Sequence, residues 1–271
     1  MKTYINYLVV TFIFLLPIQV FAVTVNPVKS NTVTKVLSLD LCTDWILAKH
    51  ANPSQVIALS PLMHQYPVDW VGQDWPTHDG SLEQILELKP DLVITGEYNA
   101  LLLRRRLREL GVRVEVLPLP KNLSQVNKYE QRLLSLIGKS TDKASKPPQF
   151  KPSSQPKEKL LLLGANGIGT GRSTFEDDLL RYAGWDNYLL DEGYINLDLE
   201  KVATDPPDAI LWSAPASAAL SNLFAEHPVL KQAIPANRWL TTDAWNWQCP
   251  GPWTWDLIGQ LTRQQRASAQ Q

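Results

Sequence analysis

The feature that most constrains this chain is an alternation of short β-type runs with longer stretches of helical apolar spacing, each change marked by a cap or a breaker. Lys35-Val36-Leu37-Ser38-Leu39 is a β-type run that ends at Asp40, a residue suited to cap the helix implied by Leu41, Trp45, Ile46 and Ala48. Further β runs at 56–59 and 92–95 enclose Ser81-Leu82-Glu83-Gln84, a capping box opening a helix that carries Leu82, Ile85, Leu86 and Leu88 and ends at Pro90. A helix over 101–110 stops at Gly111, and 113–117 supplies the next strand. The second half repeats the scheme with a strand at 160–163, a Gly-rich loop at 164–171 and a helix over 174–183 ended by Gly184. Pro207-Asp208-Ala209-Ile210-Leu211 echoes Pro90-Asp91-Leu92-Val93-Ile94. Strands separated by helices imply an α/β fold with parallel sheets, and the echo implies two similar lobes.

Between the halves, 124–138 carries Val126, Leu133, Leu134 and Ile137 and reads as one connecting helix. Beyond it, 139–159 holds Pro147, Pro148, Pro152 and Pro156 among Lys, Ser and Gln, an exposed and extended linker. The division expected is an N-terminal lobe at 35–120, the connecting helix plus Pro-rich linker at 121–158, a C-terminal lobe at 159–263 and a tail at 264–271.

Ahead of the first strand, Lys2 precedes the apolar run Tyr7-Leu8-Val9-Val10-Thr11-Phe12-Ile13-Phe14-Leu15-Leu16, then Pro17 and Val20-Phe21-Ala22. This reads as a secretory signal peptide over 1–22, cleaved after Ala22, followed by a tail at 23–34. The alternative, an uncleaved anchor, needs roughly 20 apolar residues. The mature chain is therefore expected to be exported.

Lys plus Arg number 26 against 27 Asp plus Glu, a net charge of −1, so there is no basic field for a nucleic acid. The four histidines are scattered and neither a metal-site, cofactor nor nucleophile-elbow motif is present, which leaves cofactors at none and catalysis without a motif. The Gly-rich loop fits no phosphate-binding pattern and reads as a turn, with Arg172 beside it able to meet a ligand carboxylate or phosphate.

In open α/β sheets ligands sit beyond the carboxyl ends of the strands, which brings forward Asp40 to Asp44, Ser60 to His64, Gly96 to Asn99 with Tyr98, the Gly-rich loop, Ser213 to Pro215 and the stretch from Asp243 to Pro250. The 10 Trp suggest aromatic surfaces beyond core filling. Trp245 and Trp247, one residue apart in a loop, suit a large and partly apolar ligand at a cleft; the other reading packs them against Trp253 and Trp255. A competing class is a secreted carbohydrate-active hydrolase using Asp40 and Glu97 with Trp platforms.

The ensemble of Val36-Leu37-Ser38-Leu39-Asp40-Leu41-Cys42-Thr43-Asp44, Gly80-Ser81-Leu82-Glu83, Leu88-Lys89-Pro90-Asp91-Leu92-Val93, Leu110-Gly111-Val112, Gly164-Ala165-Asn166-Gly167 and the Trp-Gln-Cys-Pro-Gly-Pro stretch resembles the periplasmic substrate-binding proteins of ABC importers for cobalamin, iron-siderophores and haem. The resemblance runs from about Lys35 to Leu261. It implies two Rossmann-like lobes joined by a helix, a metal chelate or corrinoid held between them, no catalysis, a monomer, and an inner-membrane ABC permease as partner. By position Trp245 matches a ligand-contacting aromatic of cobalamin binders and Asp44 matches the first docking acid, while the second docking position falls near Ser173 with Glu176 or Asp177 the nearest acids; the candidate ligand contacts are Cys42, His64, Tyr66, Tyr98, Arg172, Trp245, Trp247 and Cys249. On this fold Cys42 and Cys249 face each other from opposite lobes, where they bond to one another, touch the ligand's metal, or pack as separate thiols. The Pro-rich segment departs from the family pattern, and the expectation drawn from it is looser coupling of the lobes.

Overall fold

A computed structural model describes residues 35–72, 74–148, 157–214 and 220–268. The signal-peptide assignment, the tail at 23–34 and the middle of the Pro-rich linker lie outside the described residues. The first sheet is formed by β1 (Val36–Ser38), β2 (Val56–Ala58), β3 (Leu92–Gly96) and β4 (Val114–Leu117), ordered β2-β1-β3-β4 and parallel throughout. Its helices are α1 (Leu41–His50), the short α2 (Leu62–Gln65), α3 (Leu82–Leu88) and α4 (Leu101–Glu109). Both faces are covered. Val36, Leu92 and Ile94 pack toward α1, while Leu37 and Val93 pack with Ile85 and Leu107 from α3 and α4, so the strands read as continuous apolar runs.

The caps form where the residues place them. Asp40 accepts from the Cys42 and Thr43 N–H groups at 2.9 and 3.1 Å. Ser81 accepts from Gln84 N–H at 3.2 Å, and Gly111 and Gly184 take the left-handed conformation that ends a helix.

From α5 (Leu123–Leu136) the chain enters a second sheet made of β5 (Lys159–Leu163), β6 (Ile168–Thr170), β7 (Asp186–Asn187), β8 (Tyr194–Asn196), β9 (Ala209–Trp212) and β10 (Trp239–Leu240). Its order is β10-β9-β5-β6-β8, with β7 pairing β5. Here the expectation of a purely parallel sheet is corrected: β6 runs antiparallel to both β5 and β8. The 164–171 loop doubles back on β5, with Gly164 N–H donating to Ile168 C=O at 2.8 Å, and this makes a strand of its second half. Helices α6 (Phe175–Tyr182), α7 (Leu199–Thr204), α8 (Pro228–Ala233) and α9 (Thr254–Ser268) complete the lobe. The last of these runs through the expected boundary at 263, because Leu257, Ile258 and Leu261 pack with Trp185, Leu179 and Leu180 in the second core.

The echo between the halves is an atomic equivalence. Asp91 accepts from Lys35 N–H at 2.9 Å, and Asp208 accepts from Lys159 N–H at 2.6 Å, so each Pro-Asp pair ties the entry of a strand, β3 or β9, to the start of the lobe's first strand, with which it pairs.

The two cores are stitched together three times. Helix α5 buries Leu123 and Val126 in the second core and Tyr129, Leu133 and Leu136 in the first. The stretch after β10 returns to the first lobe, where Cys249 and Trp253 join the core around Trp45. Cys42 and Cys249 then close a disulfide with Cα atoms 5.2 Å apart. Of the three alternatives for this pair the bonded one is therefore formed, a covalent link from α1 to the stretch after β10.

Candidate functional site

Between the lobes, beyond the carboxyl ends of the strands, lies a cavity of about 690 Å³. Tyr98, Leu119 and Lys121 wall it from the first lobe, Phe175, Glu176 and Tyr194 from the second, and Trp247 with Gln248 closes the third side. Each wall is stiffly held. Gly96 at the end of β3 lies so close to Asp40 that a Cβ there would sit 2.7 Å from a carboxylate oxygen. Asn99 donates to the same carboxylate, and Arg104 donates to the Gly96 and Glu97 carbonyls at 3.0 and 2.8 Å. Tyr98 is thus presented at 66% exposure on an immobilised loop.

Opposite it, Tyr194 opens β8 and is 67% exposed. Gly171 N–H donates to Gly193 C=O at 2.8 Å, a backbone approach that leaves no room for a Cβ at 171 and sets the position of Tyr194. The Tyr194 hydroxyl donates to the Glu176 carboxylate at 3.3 Å. Burial raises the Glu176 carboxyl above its usual range, and burial together with that carboxylate pushes the Tyr194 phenol up to about 12, so the phenol keeps its proton at neutral pH.

The structure separates residues that the sequence placed together. Trp245 and Trp247 share a 3₁₀ turn (Ala244–Trp247), in which residues two apart point in different directions. Trp247 faces the cavity and donates to Thr242 Oγ1 at 2.8 Å. Trp245 turns away and packs edge-on to Trp45 at 5.6 Å, with Trp70 and Trp253 completing a cluster of four. The rim-packing reading is the one that applies to Trp245. Cys42 and Cys249, buried and bonded to each other, offer no thiolate.

His64 lines a different cavity, of about 540 Å³, with Trp75 and Thr77. Tyr66 ends α2 at 41% exposure and does not line the interlobe cavity. Arg172 lines a third cavity beside Asp177 and Arg181 and is not among the residues lining the interlobe cavity. The Gly-rich loop spends its N–H groups at Gly164 and Gly171 on the hairpin, as a turn does and a phosphate cradle does not.

Two carboxylates proposed for docking are also relocated. Asp44 is fully buried, accepting from the Ser60 N–H at 3.1 Å and from its hydroxyl, with burial pushing its carboxyl up to about 7. Asp177 is buried against Asn187 and Arg181. Both are buried, whereas Glu176 lines the cleft. Asp40, the first carboxylate of the hydrolase reading, is consumed by its helix cap and by Asn99, and is 1% exposed. Sequence reasoning does not single out Lys121, Phe175 or Tyr194; Tyr194 sits in a three-residue strand too short to leave a periodic signal.

No protein-family model matches the sequence, and no curated protein does. Solved structures do. A possible iron-binding periplasmic solute-binding protein from Staphylococcus epidermidis superposes with a TM-score of 0.66 at 17% identity, covering 87% of this chain and 98% of that one. A periplasmic heme-binding protein from Pseudomonas aeruginosa gives 0.64 at 20% identity over 87% and 94%. The periplasmic vitamin B12-binding protein BtuF of Vibrio cholerae gives 0.61 at 18% identity over 89% and 99%. The chain has the bilobal α/β fold of these solute-binding proteins.

Proposed function

We propose that this chain, which carries the fold of the periplasmic heme-, iron- and B12-binding proteins, is an exported solute-binding protein that captures a metal chelate or corrinoid between its lobes and delivers it to an inner-membrane ABC importer. The observation that carries the reading is the interlobe cavity with exposed Tyr98 and Tyr194 facing it from opposite lobes and Trp247 at its side. Large flat rings held on immobilised backbone are the surface that a large, partly apolar and planar ligand needs.

The charge of the lining narrows the class. Lys121 and Glu176 are the ionisable pair of opposite sign among the lining residues, and no second cation joins them there. A polyanionic ferric chelate would meet a single cation, Lys121, with Glu176 beside it in the lining, too little positive charge to offset the desolvation of several negative groups. A corrinoid or porphyrin-type chelate, broad and of low net charge, fits better. The protein acts as a monomer that returns its ligand chemically unchanged, a reading supported by Asp40 being locked in a helix cap and away from the cavity lining.

Calorimetric titration with cyanocobalamin, haem and a panel of ferric siderophores tests this. One-to-one saturable binding of a macrocyclic chelate, recovered intact, supports it; tight binding of a ferric catecholate in preference, or turnover of any compound, overturns the assignment.

A further inference from the structure

The interlobe cavity is uneven in the hydrogen bonds it has left to make. Several donors in its lining are already engaged by the fold. Thr174 donates to the Gly171 carbonyl at 2.8 Å, Ser173 donates to the Glu192 carboxylate at 3.0 Å, and Trp247 donates to Thr242. What remains on the second-lobe wall is a pair of acceptors, Glu176 and Tyr194.

An ionised carboxylate offers about four lone-pair positions. Glu176 receives its own N–H and one side-chain donor, the Tyr194 hydroxyl, which lies 3.4 and 3.3 Å from its two oxygens. No cation pairs with it among the described residues, and burial has stripped much of its water. A carboxylate in that state is stabilised by each donor a ligand brings. Tyr194, having given its one proton to Glu176, can only accept from a ligand. On the first-lobe wall the charged group is the opposite one, Lys121, which can only donate.

The rim of a macrocycle meets both walls, and its chemistry decides how well. A carboxamide answers each: its N–H groups meet Glu176 and Tyr194, and its carbonyl oxygen meets Lys121. A carboxylate is served by Lys121 alone and faces Glu176 charge against like charge. We propose that Glu176, with Tyr194 beside it, sets the specificity of the interlobe cleft, selecting a macrocycle whose rim carries carboxamides and rejecting one whose rim carries carboxylates. This rests on the macrocyclic-chelate reading of the cleft, and it assigns Glu176 to the ligand in place of the permease.

Dicyanocobinamide and dicyanocobyrinic acid share a ring with both faces of the metal capped by cyanide, and differ in a rim of carboxamides against a rim of carboxylates. Calorimetry should find the first bound at least about tenfold more tightly by the parent. Glu176→Gln keeps the shape of the side chain and removes its charge, so it should keep the parent's thermal melt and reduce that ratio about tenfold. Glu192→Gln removes a charge next to Ser173 but outside the lining, and should leave the ratio unchanged. Equal affinity for the two rings, a ratio that Glu176→Gln does not move, or one that Glu192→Gln moves as far overturns the assignment of Glu176. Failure of both rings to bind also overturns it; saturable binding of haemin would then leave the macrocycle reading standing, and its absence would overturn that reading as well.

Discussion

Cys42, in the first turn of α1, and Cys249, in the stretch after β10, are bonded across the two lobes, and both are buried beside the Trp45 cluster. The bond closes a loop whose ends are 207 residues apart, so its removal releases a large chain entropy, about 5 kcal/mol by the loop-closure relation and less where the lobes hold each other by packing. The double variant Cys42→Ser with Cys249→Ser should therefore unfold at a clearly lower denaturant concentration than the parent. Thiol titration of the denatured parent without reductant should find no free cysteine; two free thiols would show that the staple does not form.

The neighbouring tryptophans should separate by phenotype. Trp245→Ala removes a ring packed on Trp45, Trp70 and Trp253, and a partly buried aromatic lost from a core costs about 3 kcal/mol. Trp247→Ala should leave the melting transition nearly in place while weakening the cleft ligand about tenfold or more. Paired melts and titrations check both, and equal effects on stability would remove the distinction between the two rings.

Much of the architecture was legible because local signals agreed with tertiary placement. Asp40, Ser81, Gly111 and Pro90 mark boundaries through backbone chemistry that acts within a few residues, and both lobe-opening strands were found to within a residue or two. The Pro-Asp echo was legible for the same reason, since Asp91 and Asp208 each serve a neighbouring strand start. The site was legible only in part. Tyr98 and Trp247 reach the cleft as residues beyond strand ends do, but Trp245, Arg172 and Asp44 depend on which way a turn or helix faces, and that is decided by contacts far along the chain. Strands β6 and β8, three residues each, carry no periodicity, so the antiparallel part of the second sheet and the position of Tyr194 went unseen.

Glu130 should prove a structural keystone of the connecting helix. It is fully buried on α5 and accepts from His50 Nε2 at 2.6 Å and from Ser145 N–H at 2.8 Å, joining α1, α5 and the start of the Pro-rich segment. Glu130→Ala leaves those half-buried donors without an acceptor and should cost about 2 kcal/mol in chemical denaturation. A change below about 0.5 kcal/mol would mean that water replaces the carboxylate.

Asp44 should make stability depend on pH in a direction opposite to that of a paired surface carboxylate. Desolvation raises its carboxyl from 3.8 to about 7, opposed by its hydrogen bonds to Ser38 and Ser60. Between those values the folded chain keeps a proton that the unfolded chain releases. The stabilisation held by the protonated form is thus complete below pH about 3.8, declines as pH rises, and is gone above about 7, a total on the order of 4 kcal/mol. His78, buried on the Ser38 carbonyl with its pKa lowered by burial, acts in the opposite sense as pH falls below 6.5. The difference between parent and Asp44→Asn isolates the carboxyl. The amide is neutral at every pH and can still accept from Ser60 N–H, so the variant's denaturation midpoint should gain on the parent's steadily from pH 4.5 to 7.5. Parallel curves for the two proteins over that range would show that Asp44 is not held protonated by its burial.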